Sequence, residues 1–170
     1  MFSITIRQAG LSDIPTIHDM AEIVFRHTYA PYLSPEQLDY MMEWMYSPDS
    51  LEDQISIKGH TYYIAWHKDT PTGYVSFNED APAADGTRIF HLQKIYILPE
   101  FQRKGIGSRL FDYVVARIHE RGGQRIELNV NRNNPAMQFY RHKGMKIARK
   151  GDFPIGHNFF MNDYIMSIDL

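Results

Sequence analysis

Gln102-Arg103-Lys104-Gly105-Ile106-Gly107 is the stretch on which the reading of this chain turns. A strand-like run, Leu92-Gln93-Lys94-Ile95-Tyr96-Ile97-Leu98, leads into it, and Pro99-Glu100 ends that run. An amphipathic helix starts at Gly105 or Gly107. Ile106, Leu110, Phe111, Val114, Val115 and Ile118 form its apolar stripe, and Gly122-Gly123 ends it. Strand, glycine loop and helix start together make a place to hold a phosphate. The first N–H groups of a helix lack intrahelical partners, the macrodipole is positive there, and glycine lets an anion approach the backbone. Arg103, Lys104 and Arg109 add positive side chains at the same end. A G-x-G alone is more often a simple turn. No G-K-[ST] follows, so this is not a Walker loop, and Leu110 replaces the third glycine of the dinucleotide fingerprint.

The downstream sequence narrows the choice. A strand, Arg125-Ile126-Glu127-Leu128-Asn129-Val130, precedes Asn133-Asn134-Pro135-Ala136-Met137-Gln138-Phe139-Tyr140 and Lys143-Gly144-Met145. Here the chain resembles the GNAT superfamily of acyl-CoA-dependent N-acyltransferases. Gln102, Gly105 and Gly107 match its Q/R-x-x-G-x-G/A signature. Asn133, Ala136, Tyr140 and Gly144-Met145 match N-x-x-A-x-x-x-Y and the Gly-aliphatic pair behind it, with Met145 where Phe is commonest. The well-matched part runs from Leu92 to Met145. The resemblance implies an α/β (α+β) fold with one mixed, mostly antiparallel sheet, a central splay and helices on both faces. It implies an acetyl-CoA-dependent N-acetyltransferase acting on a primary amine by direct transfer.

Composition agrees. A chain of 170 residues suits a single domain over 1–170. Cysteine is absent, which excludes disulfides, Cys-ligated zinc and thiol nucleophiles and fits a reducing compartment; a cytoplasmic location is expected. A net charge of −2 gives no basic field for nucleic acid, and no segment is apolar enough to span a membrane. Met1 to Thr5 reads as the start of a strand, not a secretory signal. The eight histidines are scattered without H-E-x-x-H spacing, so no metal site is expected.

The pattern along the chain predicts a strand over Ser3–Arg7, then a helix capped at Ser12-Asp13 through Phe25. A second helix starts at Ser34-Pro35-Glu36, and a third spans Pro48–Ile57. His60–His67 and Thr72–Asn78 read as a hairpin around Lys68-Asp69-Thr70-Pro71. Arg88–Leu98 is the central strand, and Met145–Lys150 and Phe159–Ile168 are the last two.

Acyl transfer from a thioester to an amine needs a bound donor, a neutral amine, a stabilised oxyanion and an acid for the thiolate. The donor's pyrophosphate would sit on the N–H groups of Arg103, Lys104, Gly105, Ile106, Gly107 and Ser108, and the resemblance adds Gln102 to the cofactor site. The pantetheine arm pairs like a strand with Ile95-Tyr96-Ile97. Asn133, Ala136, Phe139, Tyr140 and Lys143 complete the cofactor site. Asn133 or Asn134 also reads as a helix N-cap before Pro135. Tyr140 is the candidate acid, because a phenol of pKa about 10 is protonated near neutrality; without the N-x-x-A frame it would read as a half-buried helix tyrosine. Where many relatives carry a Glu, this strand has His91. On a period of two it shares a face with Ile89, Gln93, Ile95 and Ile97, and it is either the base or a hydrogen-bonded structural histidine. Glu79 and Glu127 are the runners-up.

In this family the acceptor site is lined by the first helices, the hairpin and the C-terminal segment. Phe25, Tyr29, Tyr32, Tyr40, Trp44, Tyr46, Phe77, Phe153, Phe159, Phe160 and Tyr164 are the aromatics offered there. Glu36, Asp39, Glu43, Asp152 and Asp163 are the acids. Aromatic faces and carboxylates suit a cationic amine. Phe25 to Tyr29, Gln37 to Tyr40 and Met161 to Met166 look like a bacterial subgroup that includes polyamine N-acetyltransferases. A polyamine is therefore the expected acceptor. The alternatives are a protein N-terminus or lysine, or an acyl-CoA-binding module without turnover. Exposed C-terminal strands make a homodimer an expectation too.

Overall fold

In a computed structural model describing residues 1–170, strand β1 (Thr5–Gln8) leads into helices α1 (Ile14–Tyr29), α2 (Pro35–Tyr46) and α3 (Pro48–Ser56). Each helix has a proline in its first turn, where a fixed φ and a missing N–H do no harm. The Ser34 and Ser47 hydroxyls accept from the N–H groups of Gln37 and Ser50 and cap α2 and α3. Strands β2 (Thr61–His67), β3 (Thr70–Glu79) and β4 (Ile89–Ile97) follow. Then come α4 (Ile106–Glu120), β5 (Arg125–Asn131), α5 (Ala136–His142), β6 (Lys146–Gly156) and β7 (Phe159–Asp169).

The strands form one sheet in the order β1-β2-β3-β4-β5-β7-β6. Every neighbouring pair is antiparallel except β4–β5. Both faces are covered. Tyr62, Ile64 and Tyr74 pack with the buried sides of α1, α2 and α3. Tyr63, Val75, Phe77, Phe90 and Leu92 pack with Leu110, Val114 and Ile118 of α4 and Tyr140 of α5. With a core on each side, β2 carries an unbroken buried run, Tyr62-Tyr63-Ile64-Ala65, in place of alternation.

The sheet departs from the sequence expectation in three places. The β2–β3 hairpin turns on Lys68-Asp69 alone, with Lys68 at φ +55°, and Thr70 and Pro71 already belong to β3. β6 runs on to Gly156, six residues past Lys150, and turns at His157-Asn158, whose φ values are +52° and +60°. Gly151, Asp152 and Pro154 read as loop residues, but β6 is an edge strand, where a missing donor is tolerated. The third departure lies in β4. Ser76 pairs with Lys94 and Phe77 with Leu92, so Gln93 is the extra residue of a β-bulge. The bulge exchanges the faces: His91 sits on the side of Lys94 and Tyr96, while Ile95 and Ile97 pack with Leu92 on the α4 side. The shared face expected for His91, Ile95 and Ile97 is thereby corrected.

Candidate active site

β4 and β5 pair only at Ile89–Arg125, Phe90–Ile126 and His91–Glu127. Beyond these the strands diverge, and a cleft of 840 Å³ opens between Leu92–Ile97 and Leu128–Val130. The cleft-side backbone of β4 is thus an unpaired strand edge, which an amide-bearing chain can join. The cleft ends at α4. Gly105 precedes that helix at φ +79°, a left-handed conformation that a side chain would strain, and no side chain caps the helix. Arg103 also sits at φ +62°, and Gln102 Nε2 donates to the Ile97 carbonyl at 3.1 Å, tying the loop to the end of β4. An uncapped helix start with free N–H groups is a fit for pyrophosphate. A Cβ on Gly107 would meet Ile97 at 3.7 Å and Phe139 at 4.0 Å, so this position lies against both walls.

Of the residues assigned to the cofactor, Ile95, Tyr96, Ile97, Gln102, Arg103, Gly105, Ile106, Gly107, Ser108, Ala136, Phe139 and Tyr140 line the cleft. Lys104, Asn133 and Lys143 do not. The Lys104 ammonium lies over the Phe2 ring at 5.1 Å, and Lys143 is paired with Asp112 at 2.8 Å. Asn133 is exposed, its N–H donating to Asn131 Oδ1. Its neighbour Asn134 is the buried one: its carboxamide oxygen accepts from the Ala136 N–H, and its Nδ2 donates to the Tyr29 hydroxyl at 3.2 Å. The capping and cleft-facing roles expected of this pair therefore fall to Asn134, which the motif's register did not select. Tyr29 bonds in turn to the Tyr96 hydroxyl at 3.0 Å. Tyr140 is buried beside this group, and burial, with Tyr29 adding to it, raises its phenol above the ordinary value.

A second cavity, of 590 Å³, lies on the helical side of β4, and Tyr29, Gln93, Lys94, Tyr96 and Asn129 line both. Phe25, Trp44, Tyr46 and Phe160 wall it, and Gln37 Nε2 donates to the Phe160 carbonyl, joining α2 to β7 across it. Tyr32 lines the first cavity instead, Phe77 is core beneath α4, and Asp39 and Asp152 are paired with Arg26 and Arg132.

The sequence matches the Acetyltransferase (GNAT) family over residues 18–145. The chain belongs to that family. It is an N-acetyltransferase, and acetyl-CoA is its acyl donor. It is 23% identical to an uncharacterized N-acetyltransferase in the pepI 3' region of Lactobacillus delbrueckii subsp. lactis, with 92% of each chain covered. It is 26% identical to the spermidine N(1)-acetyltransferase of Thermoplasma acidophilum over 85% of this chain and 89% of that one. Among solved structures, the paia N-acetyltransferase of Thermoplasma acidophilum in complex with coenzyme A superposes with a TM-score of 0.80 over 99% of both chains, at 24% identity. No helix is long and apolar enough to cross a membrane.

Within the GNAT frame the candidate bases separate. Glu79 lies outside both cavities, bonded twice to Arg88 at 2.8 and 2.9 Å, and that guanidinium holds its carboxyl below the ordinary range. His91 is the last β4 residue paired with β5, so it marks the fork; it lines the second cavity with Nδ1 3.2 Å from Asp80 Oδ2. Glu127 lines the same cavity but is paired with Arg149 at 3.0 Å. Asp163 is 2% exposed and accepts one bond, from Asn129 Nδ2 at 3.4 Å. Burial raises its carboxyl, against the pull of the Asn129 bond and the Arg132 charge. Such a carboxylate gains from a cationic partner in the cavity.

Proposed function

We propose that the protein transfers acetyl from acetyl-CoA directly to the primary amine of a small molecule held in the second cavity, and that this acceptor is a polyamine. The meeting of the two cavities at Tyr29, Gln93, Lys94, Tyr96 and Asn129 carries the reading, because donor and acceptor can then be bound together. The polyamine assignment is supported by the likeness to a spermidine N(1)-acetyltransferase and by the aromatic walls and buried Asp163. In this reading Asp163 holds an ammonium, and His91 takes a proton from the amine through water. The neutral nitrogen attacks the thioester carbon, the C–S bond breaks, and Tyr140 gives its proton to the departing thiolate. Its raised phenol is protonated at neutral pH, as a donor must be.

Release of free CoA thiol, followed with polyamines, monoamines, amino acids, aminoglycosides and peptides, tests this. Polyamine-dependent release is expected. Release with peptides alone moves the acceptor to a protein, and tight acetyl-CoA binding without release from any amine leaves a binding module. A homodimer joined through the free edge of β6 belongs to the same reading, and sedimentation velocity tests it.

A further inference from the structure

Lys94 is a buried cation that acyl transfer does not call for. It stands one place past the bulge and is 7% exposed. Its Nζ donates to Gln54 Oε1 at 2.8 Å, to the Tyr62 hydroxyl at 2.6 Å and to the Met45 carbonyl at 3.4 Å. The ammonium also lies 4.5 Å from the centre of the Tyr46 ring and 5.2 Å from that of Tyr62. No carboxylate comes within ion-pair distance of it. Neutral oxygens and aromatic faces of this kind form a cage that recognises a free ammonium. Here the chain's own side chain fills it.

The cage borders the acceptor cavity, where Gln54, Tyr46 and Met45 are all wall residues. Asp163 is on the far flank, since β2 lies on one side of β4 and β7 on the other. Lys94 and Asp163 share no hydrogen bond or ion pair. A triamine such as spermidine, with its reacting nitrogen neutral and one ammonium at Asp163, has a second ammonium to send along the cavity toward Lys94.

The titratable groups around Lys94 leave its charge uncompensated. Tyr46 of α2 and Tyr62 of β2 are raised by burial and stay neutral. His60, just ahead of β2, is pulled down to about 4 by burial and by Lys94, so it is neutral as well. Lys58, after α3, adds a like charge, and His91 and Asp80 pair with each other. Burial, helped by Lys58, brings Lys94 itself down to about 7.

We propose that Lys94 is a specificity-determining residue: its ammonium stands at the end of the acceptor cavity toward which a polyamine's second ammonium points and repels it, so a doubly charged acceptor binds with release of the Lys94 proton to solvent. Singly charged amines bypass the restriction. This rests on the second cavity being the acceptor site.

Calorimetric titration of spermidine into the CoA-saturated protein tests the idea without turnover, in two buffers of different ionisation enthalpy. Wild-type affinity is expected to rise about tenfold between about pH 6 and about pH 8, with close to one proton released per spermidine at the lower pH. Lys94→Met keeps the volume and loses the charge, so its affinity should be flat with pH and no proton released. Lys94→Ala vacates the cage and should bind spermidine more tightly than wild type, with butylamine affinity unchanged. A circular dichroism spectrum and melting transition like those of wild type show that a variant is folded, and the Met variant decides alone if the Ala variant is not. Equal affinity, proton count and pH dependence in wild type and variant overturn the inference and leave the acceptor reading standing. No spermidine binding by any of the proteins overturns both.

Discussion

Replacing Lys94 by methionine should stabilise the unliganded protein below neutrality and destabilise it in alkali. An ordinary lysine titrates at 10.5, and in the fold burial and Lys58 bring this one down to about 7. Between those values the unfolded chain binds the proton that the folded chain has released, so stability rises with pH. Below the folded value the folded state carries the full penalty of a buried charge. At about 1.36 kcal/mol per pKa unit the penalty is on the order of 5 kcal/mol. It shrinks by roughly 2 kcal/mol between about pH 7 and pH 9, and it is gone above the unfolded value. Methionine removes the penalty and the three hydrogen bonds. Gln54 Oε1 still accepts from the Tyr62 hydroxyl, which limits the loss to about 1–3 kcal/mol. The stability curves of wild type and Lys94→Met should therefore cross near about pH 9. Urea unfolding followed by circular dichroism at several pH values gives both curves. Curves that run parallel from acid to alkali would show that Lys94 keeps its proton in the fold, and they would refute the reasoning.

Four further outcomes follow from the site. Tyr140→Phe should bind acetyl-CoA almost as wild type does while kcat falls by about 10²- to 10⁴-fold; a loss confined to KM would make the hydroxyl a binding group only. Gly107→Asp sets a carboxylate at the uncapped helix start and should abolish the thermal shift produced by acetyl-CoA, whereas a retained shift would move the pyrophosphate elsewhere. His91→Gln should lower kcat/KM at neutral pH with acetyl-CoA affinity unchanged, and an undiminished kcat/KM would move the base to Glu127 or to water. Asp163→Asn should raise the acceptor KM by about 10- to 100-fold and leave acetyl-CoA affinity alone, an outcome that unchanged acceptor kinetics would exclude.

The donor half of the site was legible because its signals are local. A strand, two glycines and an amphipathic stripe within a few residues specify an uncapped helix start wherever the rest of the chain goes. One mixed sheet covered by helices likewise suited the element order. The acceptor half depends on contacts far apart in sequence. Lys94 sits in the strand run Leu92–Leu98 with nothing in that pattern to mark it; only α2, α3 and β2 converging on it make it buried. Asp163 was one acid among several until its burial set it apart from Asp39 and Asp152, which have arginine partners. The choice between Asn133 and Asn134 hung on one residue of turn geometry, fixed by the Asn131 side chain holding the Asn133 N–H.

The bulge at Gln93 explains why donor and acceptor sites meet where they do. Without an extra residue, period-two alternation would keep His91, Gln93, Ile95 and Ile97 on one face. Lys94 and Tyr96 would then turn toward Leu110 and Val114, which have no accessible surface and no hydrogen-bond acceptor to offer an ammonium or a phenol. With the bulge, Ile95 and Ile97 complete that apolar layer, while Lys94 and Tyr96 reach Gln54, Tyr62 and Tyr29. A bulge also increases local twist, and β4 parts from β5 two residues before it, after His91. One inserted residue thus accounts for the swap of faces that furnishes the acceptor cavity and stands where the cleft for the donor begins.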